Sequence, residues 1–313
     1  MTTATPLNST TSQPTTAPVT GSWPPAGWQG PTDMAGINDL LMGPAGTGKT
    51  HSIGTAVDAG LDFFGPGQDI EVFYLALEPG LESLKGYWSD RGLPIPRNLH
   101  WHTIKAPDIG FADMIDAAKM INTLSLESLA KMQDTKRSRH NQFISILEAL
   151  ANFPCDRTKQ KFGAVNEWKP NRMLVVDGMA GLGKAAMAMV VGSKPVRSQS
   201  DWGIAQDQVE KIIRKLSEDC QCHFILLGHV ERETDQVLGG VKIMISTLGA
   251  KLAPKLPPLF SDIILTVRQG AKWTWDTSNS QADLKTRYLP ISSDNPPDFG
   301  PVLKKWLARA LAT

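Results

Sequence analysis

The chain has 313 residues, 41% of them hydrophobic, enough for one large domain or two small ones with a real core. Its formal net charge is +1, which excludes a generally basic, nucleic-acid-coating surface, so any such site has to be local. Cys155, Cys220 and Cys222 form no disulfide or metal framework and read as thiols in a reducing compartment. No run approaches the ~18 apolar residues of a membrane span, and the N-terminus lacks the basic and apolar regions of a secretory signal, so a cytoplasmic protein with no membrane partner is expected.

Residues 1–30 are rich in Thr, Ser and Pro and offer almost nothing aliphatic to bury, which predicts a disordered tail. Trp23 and Trp28 near its end are expected to pack on the domain that follows. That domain is expected over 31–297. Residues 37–42 read as a strand entering a glycine-rich turn, and 49–59 as a helix stopped by Gly60. The run 70–77, IEVFYLAL, suits a parallel strand buried on both faces. A short helix is predicted over 81–90. Residues 106–170 read as a polar helical insertion, with Lys131, Lys136, Arg137, Arg139 and His140 among its cations. Two further buried strands fall at 173–176 and 224–227. Between them Ala205, Val209, Ile212, Ile213 and Leu216 recur at helical spacing behind a Ser200-Asp201 cap. Strands alternating with helices imply an α/β fold, a mostly parallel sheet with helices on both faces. Beyond residue 236 hairpins are expected, with Gly239-Gly240 turning between 237–238 and 241–242, then IILTV, KWTWDT and LKTRYLP as strands. Leu303, Trp306, Leu307, Ala310 and Leu311 mark an amphipathic C-terminal helix within 298–313.

The strongest motif is Gly43-Pro44-Ala45-Gly46-Thr47-Gly48-Lys49-Thr50, which fits G-x-x-x-x-G-K-[ST] at every fixed position. Glycines at this spacing turn successive backbone N–H groups inward around a phosphate, and the helix behind them adds partial positive charge. Lys49 is expected to reach the β- and γ-phosphates of ATP, and the Thr50 hydroxyl to ligate Mg²⁺. Met173 to Asp177, MLVVD, supplies a carboxylate at the end of a buried strand, expected beside the loop strand, where it can hold the metal through its water shell. A second stretch, 178–185, repeats the glycine and lysine spacing but has Ala185 where the hydroxyl belongs, and reads as a flexible glycine-rich loop.

Hydrolysis needs a base besides the cradle. In AAA+-type ATPases that glutamate follows the strand-end aspartate directly, but here Gly178 does. Glu78, at the end of IEVFYLAL, is the candidate, since strand ends of an open α/β sheet face one crevice; otherwise it is an ordinary glutamate opening a helix. His229 ends the strand FILLGH, where it either touches the γ-phosphate or is a satisfied strand-end histidine.

In the order GPAGTGKT, LALEPG, MLVVDG, FILLGHVERE, the chain resembles the RecA-fold P-loop ATPases. Within these it is similar to the compact phage-type RecA-like proteins of single-strand annealing and recombination. SDWGIAQDQ, LGAKLAPKLPPLFSDIIL and LKTRYLP extend the likeness, which covers about 37–290 and is weakest at 106–170. The resemblance implies a RecA-like core, a phage-encoded origin and ATP-driven assembly into rings or filaments on single-stranded DNA. It also implies nucleotide held between subunits, and a single-strand-binding protein among the partners. It further implies that Lys285 and Arg287, a K-x-R pair on a late strand, reach the neighbour's γ-phosphate, unless they form a plain basic edge. DNA is then expected along the loops after the aspartate and after the sensor strand. The first holds Lys184, Lys194 and Arg197, the second Arg232 and Lys242. Neither loop offers an aromatic for base stacking, and 131–140 is the alternative DNA contact. Competing readings are a helicase, helicase loader or packaging motor, a small-molecule kinase, and a nucleotide switch without turnover.

Overall fold

The computed structural model describes residues 22–106, 110–132, 140–234 and 239–312. The chain enters strand β1 (Asn38–Met42), turns through the glycine-rich loop and runs into helix α1 (Lys49–Gly60). Then come β2 (Glu71–Ala76), α2 (Leu81–Ser89), β3 (Leu99–Thr103) and three helices, α3 (Phe111–Thr123), α4 (Leu126–Lys131) and α5 (Gln142–Ala151). The core continues with β4 (Arg172–Asp177), α6 (Met179–Val191), α7 (Gln199–Arg214) and β5 (His223–Gly228). A hairpin of β6 (Val230–Thr234) and β7 (Val241–Ile245) follows, then β8 (Asp262–Gln269), β9 (Lys272–Asp276) and α8 (Phe299–Ala310).

Seven strands form one sheet in the order β3-β2-β4-β5-β1-β8-β9, parallel except for β9. Side chains alternate strictly between its faces. Leu40 and Met42 of β1, Phe73 and Leu75 of β2, and Phe224 and Leu226 of β5 join one core, with α5, α6 and α7. Leu41, Val72, Tyr74, Ile225 and Leu227 join the other, with α1, α2 and α8. Burial on both faces is why these strands read as unbroken apolar runs rather than as alternating ones. The result is an α/β fold with a P-loop NTPase-like core, a mostly parallel seven-stranded sheet, a helical insertion and a C-terminal hairpin.

Several expectations are corrected. β5 lies between β1 and β4, so Asp177 does not end the strand beside the loop strand. The connection through α6 and α7 returns the chain into that gap, and the register Asp177↔Leu227 and Met42↔Gly228 keeps the strand ends level. Residues 178–185 are not a flexible loop but the start of α6, most of whose first turns are buried. Gly181 and Gly183 serve close packing there, since a Cβ would come within 2.8 Å of the Leu77 carbonyl oxygen and 3.1 Å of Leu248. The loop assigned to 178–200 therefore shrinks to 192–198. The cap of α7 is Ser198, which accepts from the Asp201 amide while Asp201 returns the bond, a capping box shifted two residues from the expected Ser200.

The insertion is α-helical only as far as Ala151, with one 3-10 turn at Val165–Glu167 beyond it, and is preceded by β3, whose LHWHT sequence carries no apolar pattern. Of its basic residues, Lys136, Arg137 and Arg139 lie outside the described residues. The first hairpin is wider than a Gly-Gly turn, pairing Thr234 with Val241, and Val237 and Leu238 lie outside the described residues. LKTRYLP is not a strand; only Lys285 makes a bridge, to Ile263. Residues 1–21 of the expected tail are likewise outside the described residues, while Trp23 and Trp28 pack on Phe64 with ring centroids 5.9 and 5.8 Å away.

Candidate functional site

The ends of β1, β2, β4 and β5 open into one cavity of about 790 Å³, lined by residues 45–52 together with Glu78, Gly80, Asp177, His229 and Trp273. The glycine-rich loop is pinned from behind. The Gly43 amide donates to the Gly228 carbonyl at 3.1 Å, and the hydroxyls of Thr47 and Thr266 lie 2.6 Å apart. Gly43 has no room for a side chain, because a Cβ would strike Thr266. Gly46 and Gly48 hold φ of +75° and +84°, backbone geometry that glycine adopts without strain. Lys49 curls into the loop and donates to the carbonyls of Gly43 and Pro44 at 2.7 and 2.8 Å. Burial lowers its pKa to about 8 against the opposing pull of Asp177 and Glu78.

Behind the loop, Thr50 donates to the Asp177 carboxylate at 3.1 Å. The Tyr74 hydroxyl donates to the same oxygen in a short hydrogen bond. Burial pushes the Asp177 pKa up, opposed by the bonds from Tyr74 and Thr50. No sequence motif marks Tyr74. The available signal was a tyrosine on the strand face that also buries Val72 and Ala76, where a hydroxyl must find a partner. A threonine hydroxyl and a carboxylate at this separation are the hard oxygen donors that Mg²⁺ prefers, and the cavity and cation-bearing loop suit a triphosphate, so these residues fit ATP-Mg²⁺.

Glu78 lies on the same rim. Its amide donates to the Asp177 carbonyl at 3.1 Å, and its carboxylate accepts from the Gly181 amide at 2.7 Å. The His229 imidazole stands 3.5 Å from its other oxygen. The structure thus brings Lys49, Thr50, Glu78, Asp177 and His229 together.

It does not bring Lys285 and Arg287 to them. Both are exposed, and Lys285 is level with Ile263, close to the start of β8 and away from the phosphate loop. Their segment is clasped by the buried Asp262, one oxygen of which accepts from the Thr286 hydroxyl and the amides of Arg287 and Tyr288 at 3.0, 2.6 and 3.1 Å. Among the cations expected on DNA, Lys194 is tied to Asp201 at 3.0 Å and Lys242 to Asp283 at 3.0 Å. Arg232 is exposed on β6 between Glu231 and Glu233. Lys184 and Arg197 share a smaller concavity of about 170 Å³ with His140, so the first loop and the end of the alternative basic segment meet.

Known proteins give the following comparisons. Residues 35–288 match the AAA domain family AAA_24. None of the curated proteins matches the chain by sequence. Among solved structures, the chain is similar to one described as a prototypical ATPase from the type III secretion system of pathogenic bacteria. Identity is 15% and the TM-score 0.35, over 75% of this chain and 53% of that one, so the chain spans about half of its length. The family match runs over well more than half of the sequence, and the chain therefore belongs to the AAA domain family AAA_24 and is a P-loop ATPase.

Proposed function

We propose that the protein is a RecA-like ATPase that assembles with nucleotide at its subunit interfaces, binds single-stranded DNA and promotes annealing or recombination. The observation that carries this reading is the link between Glu78 and His229. The imidazole is 3.5 Å from the carboxylate, and the next residue, Val230, opens β6, whose remaining residues 231–234 are exposed. A group facing the γ-phosphate position is thereby one residue from a surface element, as a nucleotide-controlled grip on a polymer requires and a small-molecule kinase does not.

In this reading the amides of 43–50 and Lys49 take the phosphates, Thr50 ligates Mg²⁺, and Asp177 holds it through its water shell. The metal, when bound, neutralises charge on the β- and γ-phosphates. Glu78 accepts the proton of the attacking water, and Lys285 with Arg287 serve a neighbouring subunit's site. With Lys194 and Lys242 held in ion pairs, the phosphate contacts are Lys184 and Arg197, which share a concavity with His140, and the exposed Arg232. The apolar residues that α3 leaves exposed, Phe111, Met114, Ile115 and Ile121, favour a protein that works in assemblies.

The test is ATP turnover with and without single-stranded DNA, with electron microscopy of the product. Single-stranded DNA is expected to raise turnover and to produce a regular assembly. A rate indifferent to DNA would sink the DNA-dependent reading while leaving the ATPase intact.

A further inference from the structure

We propose that Trp273 is the nucleobase platform of the nucleotide site, taking a purine base flat against its indole. The proposal depends on the glycine-rich loop being a triphosphate cradle. The sheet order supplies the direction. From β1, the acidic and histidine side chains all lie toward β5, β4 and β2, whereas β8 and β9 flank the loop on its other side. The metal and γ-phosphate chemistry belongs with Asp177, Glu78 and His229, so the nucleoside has to leave toward β9. Trp273 stands there, opposite Arg268 of β8, at the loop end of the strand pair.

Its setting is that of a platform rather than of a core residue. The indole N–H donates to the Gly46 carbonyl at 3.3 Å, and a Cβ on Gly48 would lie 3.1 Å from the ring, so the ring is docked against the loop itself. Even so it is 41% exposed and lines the cavity, as Pro297 also does. The Arg268 guanidinium lies 5.1 Å from the ring centroid, a cation–π contact that steadies its orientation. A large aromatic held by its indole N–H and by Arg268, yet partly open to a largely apolar cavity, is the arrangement on which a base stacks. Stacking reads the π face and not the base edge, so ATP and GTP are expected to bind alike and better than pyrimidine nucleotides.

The experiment compares Trp273→Ala and Trp273→Phe with the wild-type protein, titrating ATP and inorganic tripolyphosphate with Mg²⁺ by calorimetry. Loss of a stacked base predicts ATP affinity about 10- to 100-fold weaker in Trp273→Ala, largely recovered in Trp273→Phe, while tripolyphosphate affinity is unchanged. Unaltered ATP affinity in Trp273→Ala, or equal weakening of both ligands, would overturn the platform, the latter by showing that the indole only shapes the loop. Tripolyphosphate binding by Trp273→Ala would show the cradle sound even so. Failure of the wild-type protein to bind either ligand would overturn cradle and platform together.

Discussion

The Glu78 carboxylate accepts a hydrogen bond from the Gly181 amide at 2.7 Å, which ties the end of β2 to the first turn of α6. That bond holds one oxygen and leaves the other toward His229 and the cavity. Glutamine at position 78 keeps the acceptor for Gly181 but cannot take a proton. Glu78→Gln is therefore expected to lower ATP turnover by about 10²- to 10⁴-fold, the usual contribution of a general base, while ATP affinity stays within a few-fold. Steady-state turnover alongside equilibrium binding separates the two effects. Turnover close to wild type would remove Glu78 from the chemistry.

Gly80 makes a second, steric prediction. A Cβ there would meet the Asp177 carboxylate and the Tyr74 hydroxyl at 2.3 and 2.6 Å, both fixed groups. Gly80→Ala has to push Asp177 away from Thr50, so it is expected to abolish Mg²⁺-dependent nucleotide binding and to weaken folding by about 1–3 kcal/mol, the usual cost of overpacking. Thermal melts with and without ATP-Mg²⁺ check both. A variant stabilised by nucleotide as strongly as the wild-type protein would refute the crowding.

The parts of the site legible in the sequence are those whose signal is local. GPAGTGKT declares itself over eight residues, and Glu78 and Asp177 each end an apolar run that burial on both sheet faces demands. Tyr74 and Trp273 were missed because their partners are remote in the chain, 103 residues away for Asp177 and 227 for Gly46. β3 was missed because His100 and His102 break the apolar pattern in a strand at the sheet edge. α6 was misread because Gly181 and Gly183, which signal a loop when read alone, are present to let the helix approach Leu77 and Leu248. The place of β5 beside β1 follows from topology, which no single strand's sequence encodes.

Lys49 gives a pH prediction. Burial lowers its pKa from the ordinary 10.5 to about 8. A triphosphate favours the charged form, so above pH 8 binding must take up a proton, and affinity for ATP-Mg²⁺ is expected to fall by up to about tenfold per pH unit. For folding the sign is opposite. The free folded protein gives up this proton before the unfolded chain does, so the Lys49 contribution to stability rises with pH between about 8 and 10.5. Calorimetry from pH 7 to 9.5, in buffers of different ionisation enthalpy, measures the uptake directly. Binding without proton uptake across that range would show that Lys49 stays charged or does not meet the phosphates.

The last prediction concerns Lys285 and Arg287, which Asp262 clasps through the backbone away from the cavity of their own chain. If they act, they act on a neighbour. Lys49→Ala leaves the K-x-R segment intact but empties its own cradle, whereas Arg287→Ala leaves a sound cradle that no full pair serves. Each variant alone is expected to be nearly inactive. In a head-to-tail assembly an equal mixture creates some interfaces with a sound cradle on one side and an intact Arg287 on the other, about a quarter of them under random pairing. Turnover of the mixture should recover in that proportion, and turnover assays at constant total protein read it. An active Arg287→Ala protein, or a mixture no more active than the average of its components, would return the pair to the role of a solvated edge.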